Sequence, residues 1–239
     1  SWAVDGGLQQ WELGTPSATT INTANSPVNA WMIDLDASYA NNSNDYLYSP
    51  YFDLSNLFSC ELRFANRVDC DNFGDGGQLE ISTDGGQTWG VLGVQNDPLG
   101  TNWYNTLSGF PGTPAWAGNN GNWTNTTYDL SAYDANPGLV QFRYRFFSDG
   151  FFPFGDGWAI DDFEIFVPIQ NSAASIDFNI GASSAFILPD DVPVSMWIEN
   201  TGVAPLTSVE ANIDIDNGAF TITEPVALGT PLQTGDSIL

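Results

Sequence analysis

Histidine is absent from these 239 residues, and only four residues are basic, all of them arginine, against 29 Asp and Glu. Losing histidine removes the commonest general base and the commonest transition-metal ligand. With Cys60 and Cys70 as the only soft ligands, zinc, copper and non-haem iron sites are disfavoured. The formal net charge of −25 repels phosphate backbones and anionic headgroups, so nucleic acid is not an expected partner and membrane insertion is not expected either. No apolar run approaches the ~18 residues of a membrane-spanning helix. A leader pattern is also missing, and Ser1 reads as the start of a processed chain or a fragment. Ten residues of extended chain between Cys60 and Cys70 span roughly 30 Å, whereas a disulfide needs Cα atoms within about 7 Å. Two free thiols are therefore expected unless that strand is broken.

Helical signals are nearly missing as well. What recurs is alternation of apolar and polar residues, broken by Asn, Gly, Asp and Pro clusters, which is the mark of an all-β sandwich. Strands are expected at 30–35, 46–49, 60–66, 78–82, 89–92, 126–129, 139–147 and 158–167, with a short helical turn from Ser131. The pattern changes near Pro168, so a first domain of 1–168 and a second of 169–239 are expected. In the second, Val192, Val194, Met196 and Ile198 alternate, as do Val209, Ala211, Ile213 and Ile215, with turns at Asn200-Thr-Gly202 and 216–218. That reads as a smaller immunoglobulin-like sandwich. Its last residues look like the start of another strand, which implies that the protein continues past Leu239.

Aspartate outnumbers glutamate, and aspartate favours turns and hard cations. In Gly157-Trp-Ala-Ile-Asp161-Asp162-Phe-Glu-Ile165, strict alternation points one of the two carboxylates toward apolar neighbours, where it needs a cation or several N–H donors. Asp34, Asp36, Asp161 and Asp162 are therefore expected to form a calcium cage. Asp69, Asp71 and Asp75, in a D-x-D-x-x-G-D spacing, are a second candidate loop. Ser82-Thr-Asp84-Gly-Gly-Gln-Thr-Trp89 fits the Asp-box, in which the Asp caps a tight turn and the Trp packs behind it.

Arg63, Arg67, Arg143 and Arg145 alternate away from the apolar positions of strands expected to be neighbours. They would share one polar sheet face, either as a ligand-binding surface or as a ladder of ion pairs. The aperiodic stretch 93–122 carries Trp103, Tyr104, Phe110 and Trp116, too aromatic for disorder. Arg63, Arg143, Arg145, Trp103, Tyr104 and Trp116 are the expected ligand-binding residues. No Ser-His-Asp set, Cys-His pair or phosphate loop is present, so an enzyme is not expected.

Trp11–Pro16 (W-E-L-G-T-P), Asn29–Trp31 (N-A-W), Tyr46–Ser55 (Y-L-Y-S-P-Y-F-D-L-S), Asp75–Trp89, Tyr128–Tyr133 (Y-D-L-S-A-Y) and Gly155–Phe163 (G-D-G-W-A-I-D-D-F) occur in that order. Together they resemble the MAM-like jelly-roll module of secreted bacterial proteins, the module called choice-of-anchor J, found also beside the catalytic part of immune-inhibitor-A-type metallopeptidases. The region after Ser172, through P-V-S-M-W-I-E-N-T-G, resembles a CARDB-type adhesion domain. The resemblance implies a calcium-stabilised jelly roll without catalytic residues, with Asp162 and acids near the first strands as metal ligands. Where the family has T-N-L-D-G, this chain has I-D-L-D-A at Ile33–Ala37. The implied function is an extracellular or cell-surface adhesion segment that binds glycan or protein. The alternatives are an accessory part of a secreted hydrolase, or a self-associating filament subunit.

Overall fold

The computed structural model describes residues 1–108, 112–134, 136, 138–151, 155–180, 194–215 and 220–239. It divides into two compact units, Ser1–Phe166 and Val167–Leu239. The first holds β1 (Ala3–Gly6), β2 (Trp11–Gly14), β3 (Ala30–Ile33), β4 (Asn44–Asp53), β5 (Glu61–Asp69), β6 (Gly76–Ser82), β7 (Gly90–Val91), β8 (Gly100–Thr101), β9 (Thr106–Ser108), β10 (Thr113–Ala115), β11 (Thr124–Asp129), β12 (Leu139–Phe147) and β13 (Gly157–Phe166). A 3₁₀ turn at Ser131–Tyr133 follows β11, where the short helical turn was expected.

Two antiparallel sheets form the jelly-roll sandwich. One runs β1-β4-β12-β6-β7 and the other β2-β3-β13-β5-β11-β8. The chain crosses from sheet to sheet at β4–β5, β5–β6 and β12–β13, so sequence neighbours face each other across the core. On β12, Val140, Phe142, Tyr144 and Phe146 point inward, and Gln141, Arg143 and Arg145 outward, as a period of two requires. They meet Leu62, Phe64, Val68, Trp158 and Ile160 of the opposite sheet. Each such side chain contributes roughly 1.5–3 kcal/mol by leaving water. Gly77 is needed here, because a Cβ would stand 2.4 Å from the ring of Trp158.

The uninterrupted alternation expected through 158–167 fails at Asp162. Register against β5 steps by one extra residue between Asp161 and Glu164, and Asp162 has φ of +50°. This β-bulge flips the phase. Trp158 and Ile160 face the core before it, Phe163 and Ile165 after it, and neither carboxylate points inward. The burial problem that suggested a cation is removed by one left-handed residue, a conformation that Asp tolerates better than most. A second bulge lies in β4 opposite Gln141–Arg143. It spans Ser49 and Pro50, and Pro, which cannot donate to a ladder, sits where pairing is already broken.

The second unit holds β14 (Ala173–Ile180), β15 (Val194–Asn200), β16 (Leu206–Ile215), β17 (Phe220–Leu232) and β18 (Ser237–Ile238). They form a three-stranded sheet, β14-β15-β18, and the hairpin β16-β17. All of its pairings are antiparallel, in keeping with the all-β class expected. Buried Asn200 organises its turn. The side-chain amide donates to the carbonyls of Ala204 and Leu232, and its oxygen accepts the N–H of Gly202. Val192 and the turn expected at 216–218 lie outside the described residues. No helix among the described residues is long and apolar enough to cross a membrane.

Candidate binding face of the five-stranded sheet

Arg143 lies mid-way along β12, between β4 and β6. Its guanidinium is ion-paired with Glu80 of β6 and donates to the Tyr48 hydroxyl at 3.3 Å. Its central carbon lies 4.5 Å from the Tyr46 ring centre and 4.3 Å from that of Trp89, so the cation is stacked between two aromatic faces. Tyr48 meets Trp89 edge-on at 5.5 Å. Tyr46 and Tyr48 share this outer face through the period of β4, and the bulge after Tyr48 returns Tyr51 to it as well.

Trp89 arrives from the Asp-box turn between β6 and β7. The Asp84 carboxylate accepts the N–H groups of Gln87 and Thr88 and the hydroxyls of Ser82 and Thr88. These bonds, led by those from Thr88, hold its pKa down at about 2. The turn fixes Trp89, whose indole N–H donates to the Gly86 carbonyl. The Asp-box is structural, as its motif implies, yet it delivers an aromatic ring to the polar sheet face.

One alternation further along β12, Arg145 donates to the Asn44 side chain at 2.8 Å and lies 5.2 Å from the Phe147 ring centre. Arg145, Asn44, Phe147, Phe73, Ser148 and Asp149 line a hollow of about 620 Å³. Phe73 is almost fully exposed. Arg145 has no carboxylate within ion-pair distance among the described residues, unlike Arg143.

The other expected ligand-binding residues are elsewhere. β5 and β12 lie in different sheets, so Arg63 and Arg67 do not share the face of Arg143 and Arg145. Arg63 pairs with Glu61 at 2.7 Å and Glu164 at 3.8 Å, and caps the Phe166 ring at 3.6 Å. Arg67 is buried, donating to the Val68 carbonyl and to Asn119 and Asn120. Trp103, Tyr104 and Trp116 are 4%, 0% and 3% exposed, so they are core and not ligand surface. Trp103 stacks near Tyr128 at 4.4 Å, and Tyr104 near Trp116 at 4.3 Å. Phe110 lies outside the described residues.

The acids expected to form a calcium cage are not brought together. Asp161 accepts the N–H groups of Asn25 and Ser26, and Asp162 accepts the side chains of the same two residues. Asp34 instead caps its own turn, accepting from the N–H of Asp36 and Ala37. In the second loop, Asp69 accepts from Asn119 and the N–H of Asp156, Asp71 from Phe73 and Gly74, and Asp75 from the Tyr39 hydroxyl and the N–H of Asp149. Burial pushes the Asp75 carboxyl above the usual carboxylate range. Among the described residues, no three His, Cys, Asp or Glu side chains are grouped to hold a metal ion. Cys60 and Cys70 are buried free thiols.

No protein-family model matches this chain, and no curated protein sequence does. Among solved structures it is similar to TmCBM61 in complex with beta-1,4-galactotriose, at 16% identity over 70% of this chain and 88% of that one, TM-score 0.42. It is also similar to the K2 cleaved adhesin domain of Lys-gingipain, at 20% identity over 69% and 88%, TM-score 0.42. A third is the K3 cleaved adhesin domain of Lys-gingipain from Porphyromonas gingivalis w83, at 20% identity over 69% and 90%, TM-score 0.39. At these values each is a distant likeness of shape.

Proposed function

We propose that the first unit is a non-catalytic recognition module that binds glycan on the outer face of the five-stranded sheet, within a larger secreted or cell-surface protein. The observation that carries this reading is the run from the Trp89–Arg143–Tyr46 stack to the hollow at Arg145 on one rigid face. Sugars present flat C–H faces to aromatic rings and pairs of hydroxyls to forked donors, and both features are here. The hollow falls in the range of about 300–1,000 Å³ typical of small-ligand sites. The strands beneath it hold the side chains in place, so little ordering cost is added on binding. The MAM-like order of motifs supports the extracellular setting.

A glycan array probed with the unaltered chain, Arg145→Ala and Tyr46→Ala tests this. Binding by the unaltered chain that is lost in both variants, with melting temperature kept, is the expected result. Equal signals from all three proteins would remove the face from consideration. Arg143→Ala is the poorer probe, because it strands the buried Glu80 carboxylate without its partner.

A further inference from the structure

A second pocket opens where the two sheets part, and it shares no lining residue with the hollow at Arg145. It holds about 420 Å³. Both bulges border it. The β4 bulge turns Phe52 inward, and the β13 bulge turns Phe163 inward while leaving Asp161 and Asp162 on the lining. Trp2 and Trp31 complete an arc of rings. Trp2 lies 5.2 Å from Phe163 and 6.1 Å from Trp31, and Phe52 lies 5.6 Å from Phe163. All four rings are only partly buried. No arginine lines this pocket. Its electrostatics are set by two adjacent carboxylates, held by the loop at Asn25 and Ser26.

Four aromatic rings beside two carboxylates, with no cation among them, select a positive group on an apolar stem. We propose that this pocket binds a lysine side chain presented by a partner protein, with its alkyl stem against the rings and its ammonium at Asp161 and Asp162. A primary ammonium fits better than a quaternary one, because carboxylates can accept its three N–H donors. A second copy of this chain cannot supply the group, since the sequence contains no lysine. The net charge of −25 also draws basic partners toward the module.

The test is an NMR titration of the ¹⁵N-labelled chain, reading the indole N–H resonances of Trp2 and Trp31. The probes are Nα-acetyl-lysine methylamide and its Nε-acetylated form. The charged probe is expected to shift both resonances saturably and to bind about tenfold more tightly than the neutral one. In Asp162→Asn, which keeps a residue that tolerates positive φ, affinity for the charged probe should fall roughly fivefold. No shift with the charged probe, equal affinities for the two probes, or undiminished affinity in a folded Asp162→Asn would overturn the proposal. Should that variant not fold, the comparison of probes on the unaltered chain decides alone. Because the two sites share no residue, loss of glycan binding in Arg145→Ala leaves this titration unchanged.

Discussion

Two tyrosines offer the same chemical change with opposite expected signs. Tyr104 and Tyr144 are both fully buried, and Phe at either position removes one oxygen. The Tyr104 hydroxyl accepts the N–H of Leu79 and donates to the Leu79 carbonyl, both at 2.9 Å. Leu79 pairs with Tyr144 of β12 on one side, and on the other side, beyond the end of β7, the Tyr104 hydroxyl completes the edge of β6. Removing its oxygen orphans the Leu79 N–H, while the carbonyl keeps a bond from the Leu92 N–H. An orphaned buried donor costs about 1–3 kcal/mol. For a unit of this size, about 2 kcal/mol lowers the melting temperature by roughly 4–8 °C. The Tyr144 hydroxyl, by contrast, has no hydrogen-bond partner among the described residues. Burying an unpaired hydroxyl costs roughly 1–3 kcal/mol, so Tyr144→Phe should recover part of that and raise the melting temperature by a few degrees. Calorimetry of the two variants beside the unaltered chain measures both shifts, and hydrogen exchange at the Leu79 amide reports the local effect in Tyr104→Phe. Shifts of the same sign would refute the argument.

Burial pushes the phenols of Tyr104, Tyr128, Tyr133 and Tyr144 upward. The folded chain therefore holds these protons more tightly than the unfolded one. Their contribution is full below the unfolded value near 10 and is lost as pH rises through the folded values, so unfolding is expected above about pH 10 in a spectrophotometric titration. Asp162→Val should cost about 1–2 kcal/mol because a β-branched residue resists positive φ, whereas Asp162→Gly should keep the bulge. A urea melt of each separates the two. The calcium expectation has a direct test: among the described residues no three of these acids are grouped around one point, as a calcium ion needs, so melts in calcium and in chelator should coincide. A rise in calcium would show these acids regrouping around the ion.

The fold class was legible because β12 runs nine residues without a break in its period, and its four inward side chains anchor the sandwich. Alternation misleads in β13 for a local reason. A bulge depends on one residue taking positive φ, and Asp162 carries no mark of this, as a glycine would. The stretch around Trp103, Tyr104 and Trp116 has no period because each ring fills the sandwich individually, not as part of a long strand. Their number argued for order, correctly, but could not say which way they faced. The arginine face depends on sheet membership, which long-range pairing sets, so alternation alone groups Arg63 with Arg143 although β5 and β12 lie in different sheets. From its motif, Trp89 is expected only to pack behind its turn. Its place over Arg143 depends on β7 lying two strands from β12. Tyr46 and Tyr48 were visible as alternating aromatics in a strand, which is the signal that could have placed them beside Arg143.

The acids share one role that composition alone conceals. Asp45, fully buried, accepts the N–H groups of Leu8 and Gln9 and the side chain of Gln10. Buried Asp156 accepts those of Thr20 and Ile21. Asp97 accepts from Val94, Leu99 and Tyr128. A short carboxylate closes a loop by collecting amide donors that no strand pairs with, and these charge-assisted bonds need no basic partner. The described residues contain only two clusters of ion pairs, around Arg63 and Arg143. The charge of −25 therefore stays largely uncompensated, and its mutual repulsion opposes the compact state. Repulsion acts over tens of ångströms at low salt, where the screening length is about 30 Å, but over only about 3 Å in 1 M salt. The carboxylate–amide bonds, at contact distance, are screened far less. Raising sodium chloride should thus raise the melting temperature, with most of the gain below about 0.2 M. A chain held by ion pairs would respond in the other direction, and a fall on adding salt would show that the acids work through partners other than the backbone.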